Sequence, residues 1–190
     1  MHRIALALAL ALLGAAPAAA DDALWALLKG GGQVVMIRHA YAPGVFDPPG
    51  ARPDDCATQR NLDAQGRDEA RRLGEAFRSR TIPVGDVRSS RWCRCLETAR
   101  IAFGRVEPWP MLNGFLNDPS QEVPRTAEVR ALASKPFTGG NVILVTHMTN
   151  IRAAAALSVV SGEMVVLTPT DAGTFTIAGR IAPPAFTAAQ

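Results

Sequence analysis

Two short apolar runs that each end in a histidine constrain the fold of this chain more than any other feature. Residues 34–39 read Val-Val-Met-Ile-Arg-His, and residues 142–147 read Val-Ile-Leu-Val-Thr-His. Such runs predict central strands of a sheet that is covered on both faces. Polar residues at the ends of such strands lie at the carboxyl edge of the sheet, where open α/β folds bind ligands. We therefore expect His39 and His147 to meet over one pocket, although either histidine alone would be interpreted as a hydrogen-bonded core residue.

Helical and extended spacings of apolar residues alternate along the rest of the chain. Asp63 is predicted to cap a helix that runs to about residue 79, and an alanine-rich helix is predicted after the second histidine. This alternation predicts a three-layer α/β/α sandwich with a largely parallel central sheet. The predicted helices cover residues 22–29, 64–79, 93–103, 126–134 and 151–159, and the further strands cover 84–89, a short segment from 106, 163–167 and 173–181.

The N-terminal residues 1–20 have the pattern of a signal peptide, and residues 21–190 are expected to form one domain. A short polar start precedes an unbroken apolar stretch at residues 4–13, and small residues lead up to Ala20. The apolar stretch is too short to span a bilayer comfortably. We expect cleavage after Ala20 and a periplasmic or secreted mature chain without a membrane span. An uncleaved membrane anchor is the less favoured alternative.

The mature chain carries little net charge. Removal of Arg3 lowers the formal charge from +3 to +2, and the arginines are scattered along the chain rather than clustered. This pattern argues against a nucleic acid as partner, whereas an arginine-lined pocket for a small anion agrees with it. The sequence leaves the oligomeric state open.

Three cysteines, Cys56, Cys93 and Cys95, follow the expected cleavage site. Because an exported chain meets an oxidising compartment, we expect one disulfide that joins Cys56 to either Cys93 or Cys95. The loop after the first strand and the helix after the next strand begin at the same edge of the sheet, which brings these positions together. Two histidines without metal-ligand spacing make a poor metal site, so neither a metal nor another cofactor is expected.

An imidazole beside a guanidinium at the end of a strand suits attack on a phosphoryl group. Arg38 adjoins His39, and Arg94 lies at the start of a predicted helix, where the helix N-terminus itself favours anions. Phosphoryl transfer needs an in-line nucleophile and positive charge around the equatorial oxygens. We expect a neutral His39 to attack while Arg38, Arg94 and His147 surround the phosphate.

Four segments in this order resemble motifs of the histidine phosphatase superfamily, whose fold is phosphoglycerate mutase-like. Residues 38–40, Arg-His-Ala, resemble its Arg-His-Gly motif, and residues 61–66 resemble its Leu-Thr-x-x-Gly helix start. Residues 89–99 resemble its Ser-Ser-Pro-x-x-Arg-Ala-x-Gln-Thr-Ala segment, and residues 145–147 match its second histidine strand. Together the four segments extend over nearly the whole mature chain.

This resemblance implies a role for each matching residue. It implies that His39 is the nucleophile that becomes phosphorylated, and that Arg38, Arg94 and His147 form the phosphate pocket. Ala40 stands where the superfamily usually has glycine, so the backbone there must tolerate a Cβ atom.

The proton donor of the superfamily has no direct match in this chain. One branch has an aspartate directly after the second histidine, where this chain has Met148, and another branch has a glutamate where Gly114 stands. We take Asp118 as the candidate acid and Glu122 as its substitute. Solvation of a loop is the alternative interpretation of both carboxylates.

Two further residues are assigned supporting roles. Asn150 is a candidate for the phosphate pocket because it follows the second histidine closely. Glu97 lies at helical spacing from Arg94 and is expected to hold that arginine in place.

The sequence therefore predicts an exported phosphomonoester hydrolase that acts through a phosphohistidine on His39, without metal or cofactor. The alternative is a non-catalytic protein that binds a phosphate ligand, keeps the pocket and lacks the general acid. A metal-dependent hydrolase is disfavoured by the thin set of metal ligands. The expected substrate is a small-molecule or surface phosphomonoester, whose identity the sequence does not specify.

Overall fold

A computed structural model of the protein describes residues 17–183, with side chains from residue 21. Most of the predicted signal peptide lies outside the described residues, so its cleavage stays a prediction. Within residues 17–183, no helix combines the length and apolarity needed to cross a bilayer. The helices are α1 (Pro17–Lys29), α2 (Ala64–Ser79), α3 (Cys93–Phe103), α4 (Glu122–Ala133) and α5 (Met148–Ala155), and the strands are β1 (Val34–Arg38), β2 (Val84–Ser89), β3 (Glu107–Pro108), β4 (Asn141–Thr146), β5 (Met164–Pro169) and β6 (Phe175–Ile181).

The six described strands form one sheet in the order β3-β2-β4-β1-β5-β6. The first four strands in that order pair in parallel. Strand β5 pairs antiparallel with β1, and β6 pairs antiparallel with β5. The two histidine strands are neighbours at the centre, and Arg38 pairs in register with Thr146. The residues that follow this pair are His39 and His147, so the register places both histidines side by side at the carboxyl edge. The predicted strands and the largely parallel sheet are confirmed.

Apolar side chains of β1 pack on both faces of the sheet, which explains its unbroken apolar sequence. Val35 and Ile37 belong to a core beneath α1, α2 and α3, and Val34 and Met36 belong to a second core beneath α4 and α5. All four side chains are completely buried. Two helical layers around one sheet confirm the predicted three-layer α/β/α sandwich.

Three helices differ from their predicted bounds. Helix α1 begins at Pro17, before the predicted start at residue 22 and before the expected cleavage site after Ala20. Helix α4 begins at Glu122, before the predicted start at residue 126. Helix α5 begins at Met148, directly after His147, and ends at Ala155 because Ala156 adopts a left-handed conformation with φ of 57°. The predicted helix continued through Leu157 to Val159, but a left-handed residue stops the ladder of helical hydrogen bonds.

The loop between β1 and α2 is held by a helix cap at its end and by a disulfide. Asp63 caps α2 as predicted, because its Oδ1 accepts the backbone N–H of Gly66 at 2.9 Å. Gly66 is required there because a Cβ atom would collide with the Tyr41 carbonyl oxygen. Cys56 forms a disulfide with Cys93 at the start of α3. The predicted disulfide is confirmed, with Cys93 as the partner and Cys95 as a buried free thiol.

Candidate active site

The two histidines meet at the carboxyl edge of β1 and β4. The ring centroids of His39 and His147 are 5.4 Å apart and the rings are nearly perpendicular, at 69°. Their side-by-side placement is fixed by the sheet, since the His39 backbone N–H donates to the Thr146 carbonyl at 2.9 Å. Both residues are buried. This meeting is what the paired strand pattern predicted.

The contacts of His39 assign its proton to Nδ1 and leave Nε2 unprotonated. Nδ1 lies 2.8 Å from the Ala40 carbonyl oxygen, which can only accept, so Nδ1–H donates. Nε2 lies 3.2 Å from Nε of Arg94, which donates to it. Burial lowers the pKa of His39 to about 3, with Arg94 as the next cause. The ring is therefore neutral at physiological pH, and Nε2 is its unprotonated nitrogen, which accepts from Arg94.

Arg94 links His39 to a residue that the sequence interpretation missed. Its Nη1 and Nη2 donate to the two carboxylate oxygens of Asp47 at 2.8 and 3.1 Å. Its guanidinium also lies 4.8 Å from the Trp92 ring centroid. The expectation that Glu97 holds Arg94 is wrong, because Glu97 pairs with Arg67 at the protein surface. Arg94 points toward His39 and Asp47, while Glu97 lies on a more exposed face of the same helix.

A hydrogen-bonded network places His147 on the other side of the pocket. Its Nε2 is 2.9 Å from Ser90 Oγ and 3.6 Å from Cys95 Sγ. Ser90 Oγ is also 3.1 Å from Asn113 Oδ1, which already accepts the backbone N–H of Arg91 at 2.8 Å. Burial lowers the pKa of His147 well below its ordinary value, followed by the effect of Arg94. Because Asn113 Oδ1 can only accept, Ser90 donates to it, and the neutral ring of His147 carries its proton on Nε2 and donates to Ser90.

Arg38 retains donors that are free for an anion. Its Nη1 donates to the Val159 carbonyl oxygen at 2.8 Å, and within the described part of the chain its buried Nε has no acceptor. Arg38 also borders an open cavity of about 620 Å³. Burial lowers the pKa of Arg38, but an arginine remains charged at neutral pH. The cavity is lined by Arg38, Tyr41, Gln65, Glu69, Val160, Ser161, Ala182 and Pro183.

Comparison with solved structures identifies the architecture. Neither a protein-family model nor a curated protein sequence matches the chain. The protein histidine phosphatase SixA, solved with tungstate, superposes with a TM-score of 0.60 at 17% identity, over 82% of this chain and 99% of that chain. A mycobacterial glucosyl-3-phosphoglycerate phosphatase, solved with VO3, gives a TM-score of 0.58 at 18% identity, over 77% of this chain and 97% of that one. This chain has the histidine phosphatase fold.

A third solved structure extends the comparison. The phosphoserine phosphatase of Entamoeba histolytica, in complex with phosphoserine, gives a TM-score of 0.57 at 10% identity, over 80% of this chain and 98% of that chain. The match over almost the full length of all three proteins confirms the phosphoglycerate mutase-like architecture. Identities this low establish the shared fold and no more.

The structure connects Asn150 to the pocket through a loop. The buried amide of Asn150 donates from Nδ2 to the Asn113 carbonyl oxygen at 3.1 Å. Its Oδ1 accepts from the Thr149 hydroxyl at 3.3 Å. In this arrangement Asn150 supports the loop that carries Asn113, and direct contact with phosphate stays a prediction.

The candidate acids lie away from the two histidines. The side chains of Asp118 and Glu122 are exposed, and the Asp118 carboxylate accepts from the Ser120 hydroxyl. The described contacts do not join either carboxylate to His39 or His147. A catalytic role for Asp118 therefore stays a prediction and depends on movement of its loop.

Gly114 lies where the superfamily resemblance places an acid, and the structure shows that this position faces the pocket. A Cβ atom built on Gly114 would lie 3.4 Å from Cδ2 of His147. The backbone therefore approaches the second histidine closely at a position without a side chain.

Among the described residues, no group of three or more His, Cys, Asp or Glu side chains is arranged to hold a metal ion. Independence from metals and other cofactors stays a prediction. Asp47 and Asn113, which sequence reasoning missed, both lie in loops, where Asp and Asn ordinarily indicate turns. No local pattern distinguishes their contacts from turn formation.

Proposed function

We propose that the protein is a phosphomonoester hydrolase that acts through a phosphohistidine on His39, without a metal or cofactor. The observation that carries this proposal is the neutral imidazole of His39, whose Nε2 lone pair lies 3.2 Å from the Arg94 guanidinium. A nucleophile beside a fixed cation is the minimum that phosphoryl transfer requires. The shared histidine phosphatase fold supports the proposal.

The proposed reaction has two displacement steps. Nε2 of His39 attacks the phosphorus atom, the N–P bond forms, and the bond to the leaving oxygen breaks. The bond from Nδ1–H to the Ala40 carbonyl stabilises the positive charge that develops on the ring. Water then attacks the phosphohistidine, the N–P bond breaks, phosphate leaves, and the neutral imidazole is restored.

The cations and donors of the site stabilise the transferred group. Arg94 presents its Nε–H toward His39, and Arg38, which precedes His39, has an Nε–H without an acceptor among the described residues. Ser90 donates its hydroxyl hydrogen to Asn113 Oδ1, so the ring proton of His147 resides on Nε2 and is donated to Ser90. Such preorganised donors act strongly because the site is largely buried.

The deciding experiment measures hydrolysis of an aryl phosphate by the purified mature chain, with and without a chelator. We expect turnover that the chelator does not reduce, and a phosphoenzyme that is labile to acid and stable to base. Loss of turnover on chelation points to a metal enzyme instead. A folded, active protein that never forms an acid-labile phosphoenzyme excludes the phosphohistidine route.

A non-catalytic binder of phosphate ligands is the second candidate function. Gly114 favours a binding function, because a glycine supplies no acidic side chain at that position. A binder takes up phosphate or vanadate with measurable affinity and does not turn over even an aryl phosphate, whose leaving group needs little protonation.

A phosphomonoester with an apolar organic part, either a small molecule or part of a surface, is the proposed substrate. Val45 and Phe46, beside Asp47 on the loop after β1, are 78% and 76% exposed, and Leu116, two residues after Gly114, is 68% exposed. Exposed apolar side chains at the rim of a site suit an apolar leaving group. We expect turnover to rise with the chain length of alkyl phosphates, and to lose this dependence in Phe46→Ser. Equal rates across the series in both proteins contradict this substrate class.

We further propose that the mature chain works outside the cytoplasm. The disulfide between Cys56 and Cys93 and the signal-like N-terminus support this location. Cell fractionation with N-terminal sequencing checks it, and we expect an exported chain that begins at Asp21.

A further inference from the structure

The ion pair between Asp47 and Arg94 is the most enclosed one near the candidate active site. The Arg94 side chain is 6% exposed and the Asp47 side chain 14%. Both carboxylate oxygens accept from the guanidinium, at 2.8 and 3.1 Å. A two-point contact of this kind fixes the plane of the guanidinium as well as its position.

The geometry of arginine gives this contact a direction. A guanidinium has an end edge, formed by Nη1 and Nη2, and a side edge, formed by Nε and the neighbouring Nη. Asp47 occupies the end edge, while Nε on the side edge points to Nε2 of His39 at 3.2 Å. Nη1 also donates to the Arg60 carbonyl at 3.3 Å. Among the described residues, these acceptors account for all Arg94 N–H bonds except one on Nη2, which lies next to Nε–H.

The Asp47 carboxylate is itself held from the loop side. Its Oδ1 accepts the backbone N–H of Arg60 at 2.9 Å. The Arg60 guanidinium donates to the carbonyl oxygens of Ala42 and Gly44 at 2.7 and 2.6 Å, which closes the loop around the carboxylate. The carboxylate therefore has a fixed position relative to the sheet edge.

We infer that Asp47 is a positioning residue, which holds the end edge of Arg94 so that its side edge meets the phosphoryl group on His39. This inference rests on the proposed phosphatase function. An ionised carboxylate that accepts from a guanidinium and an amide has no proton to donate, so Asp47 does not act as the acid. Its negative charge also repels a bound phosphate. The benefit of Asp47 consequently lies in the transition state, and its loss lowers kcat without weakening phosphate binding.

The test compares Asp47→Asn with Asp54→Asn, which makes the same charge change at an exposed position of the same loop. We expect kcat for an aryl phosphate to fall about 10- to 100-fold in Asp47→Asn. The inhibition constant of inorganic phosphate stays equal or decreases, and Asp54→Asn matches the parent in both. A general loss of structure weakens phosphate binding together with kcat and overturns the inference. A loss confined to alkyl phosphates assigns Asp47 as an acid and also overturns it.

A double-mutant cycle identifies the residue through which Asp47 acts. In an Arg94→Ala background, Asp47→Asn should change kcat less than about twofold, because its partner is already absent. A full additional loss in that background shows that Asp47 acts independently of Arg94. If Asp47→Asn does not fold, Asp47→Glu serves instead, since it keeps the charge and displaces the guanidinium by one methylene; it should lower kcat and leave phosphate inhibition unchanged.

The same assays separate this inference from the function on which it rests. Absence of turnover in the parent protein overturns the phosphatase proposal, and the inference with it. Full kcat in Asp47→Asn beside an active parent overturns the inference alone.

Discussion

The sheet positions His39 and His147, whereas Asp47 and Asn113 lie in loops and are positioned by side-chain contacts with Arg94 and Ser90. The strand-built half of the site consists of Arg38, His39 and His147, which follow from the register of β1 and β4. The loop-built half comprises residues 41–63 and 113–121, which are tied by polar contacts and one disulfide. Arg94 bonds to both halves, through His39 and Asp47.

This difference shows where the chemistry is fixed and where it can vary. The backbone hydrogen bonds of a central sheet fix His39, the proposed nucleophile, and His147 within a buried, rigid frame. The loop-built half decides how Arg94 points and whether an acid is present. Loops of this kind can change while the chemistry proposed for the sheet edge stays the same.

The largest effect is expected from the strand-built half. His39→Ala should lower turnover at least about a thousandfold, because the remaining donors can only position the substrate. The fold should survive, since the native ring is neutral and its removal leaves no charge unpaired. Steady-state kinetics and circular dichroism of the variant check this. Near-parental turnover in folded His39→Ala protein places the nucleophile elsewhere.

The disulfide tests how firmly the loop-built half is attached. Replacement of Cys56 and Cys93 by serine releases a loop closed by residues 37 apart in sequence. Loop-closure entropy then predicts a loss of about 4 kcal/mol in the free energy of unfolding. Guanidinium denaturation measures it, and Cys95→Ala, which keeps the bridge, is the control. Equal stability of parent and double variant shows that the bridge adds no constraint.

Arg94 tests the junction of the two halves. Arg94→Ala should weaken vanadate binding and turnover together, by about 3 kcal/mol or roughly a hundredfold, because a preorganised cation is lost from a buried site. Arg100→Ala removes an exposed arginine of the same helix and should leave both unchanged. Vanadate affinity that survives in Arg94→Ala means that the guanidinium does not face the phosphoryl group.

Burial of the histidines predicts a pH-dependent stability. The pKa of His39 is about 3 in the folded protein, so the unfolded chain binds a proton below about pH 6.5 that the native ring does not. The free energy of unfolding should therefore fall as the pH decreases from about 6.5 toward 3, by up to about 1.4 kcal/mol per pH unit for this ring. Denaturation at pH 7, 6 and 5 measures the slope. In His39→Gln, the free energy of unfolding should depend on pH less steeply, by up to about 1.4 kcal/mol per pH unit, because one titrating group is absent. Identical slopes in the parent and the variant contradict a buried neutral ring.

The smallest effect on aryl phosphate turnover is expected at the candidate acid. As the candidate acid, Asp118 is needed only for a poor leaving group, so Asp118→Asn should change turnover of aryl phosphates less than about threefold and slow alkyl phosphates far more. Equal effects on both substrates, or no effect on either, show that Asp118 is only an exposed loop residue bonded to Ser120. Gly114→Glu places a carboxylate beside His147 and should raise the rate for alkyl phosphates relative to aryl phosphates.

Sequence reasoning succeeded where the pattern of apolar residues along a strand determines the structure. The apolar runs before His39 and His147 determine a central strand, its neighbour and the edge at which both end. It failed where position depends on contacts between distant loops. Asp47 has a local sequence typical of a turn, and only the folded loop shows that its carboxylate meets Arg94. Glu97 was assigned to Arg94 from helical spacing, although the two side chains point in different directions.

Three cysteines allow three single bridges, and the folded chain admits exchange among them only with difficulty. Thiol–disulfide exchange starts from a thiolate, and burial raises the pKa of Cys95 to about 12. At neutral pH the one spare thiol, only two residues from Cys93, is therefore almost entirely protonated and enclosed. Once α3 has packed against the sheet, Cys95 can no longer exchange with the native disulfide. For the same reason it can no longer convert a non-native disulfide into the native one. Pairing must consequently be decided early in oxidative folding, before the protein has acquired the site that the bridge supports.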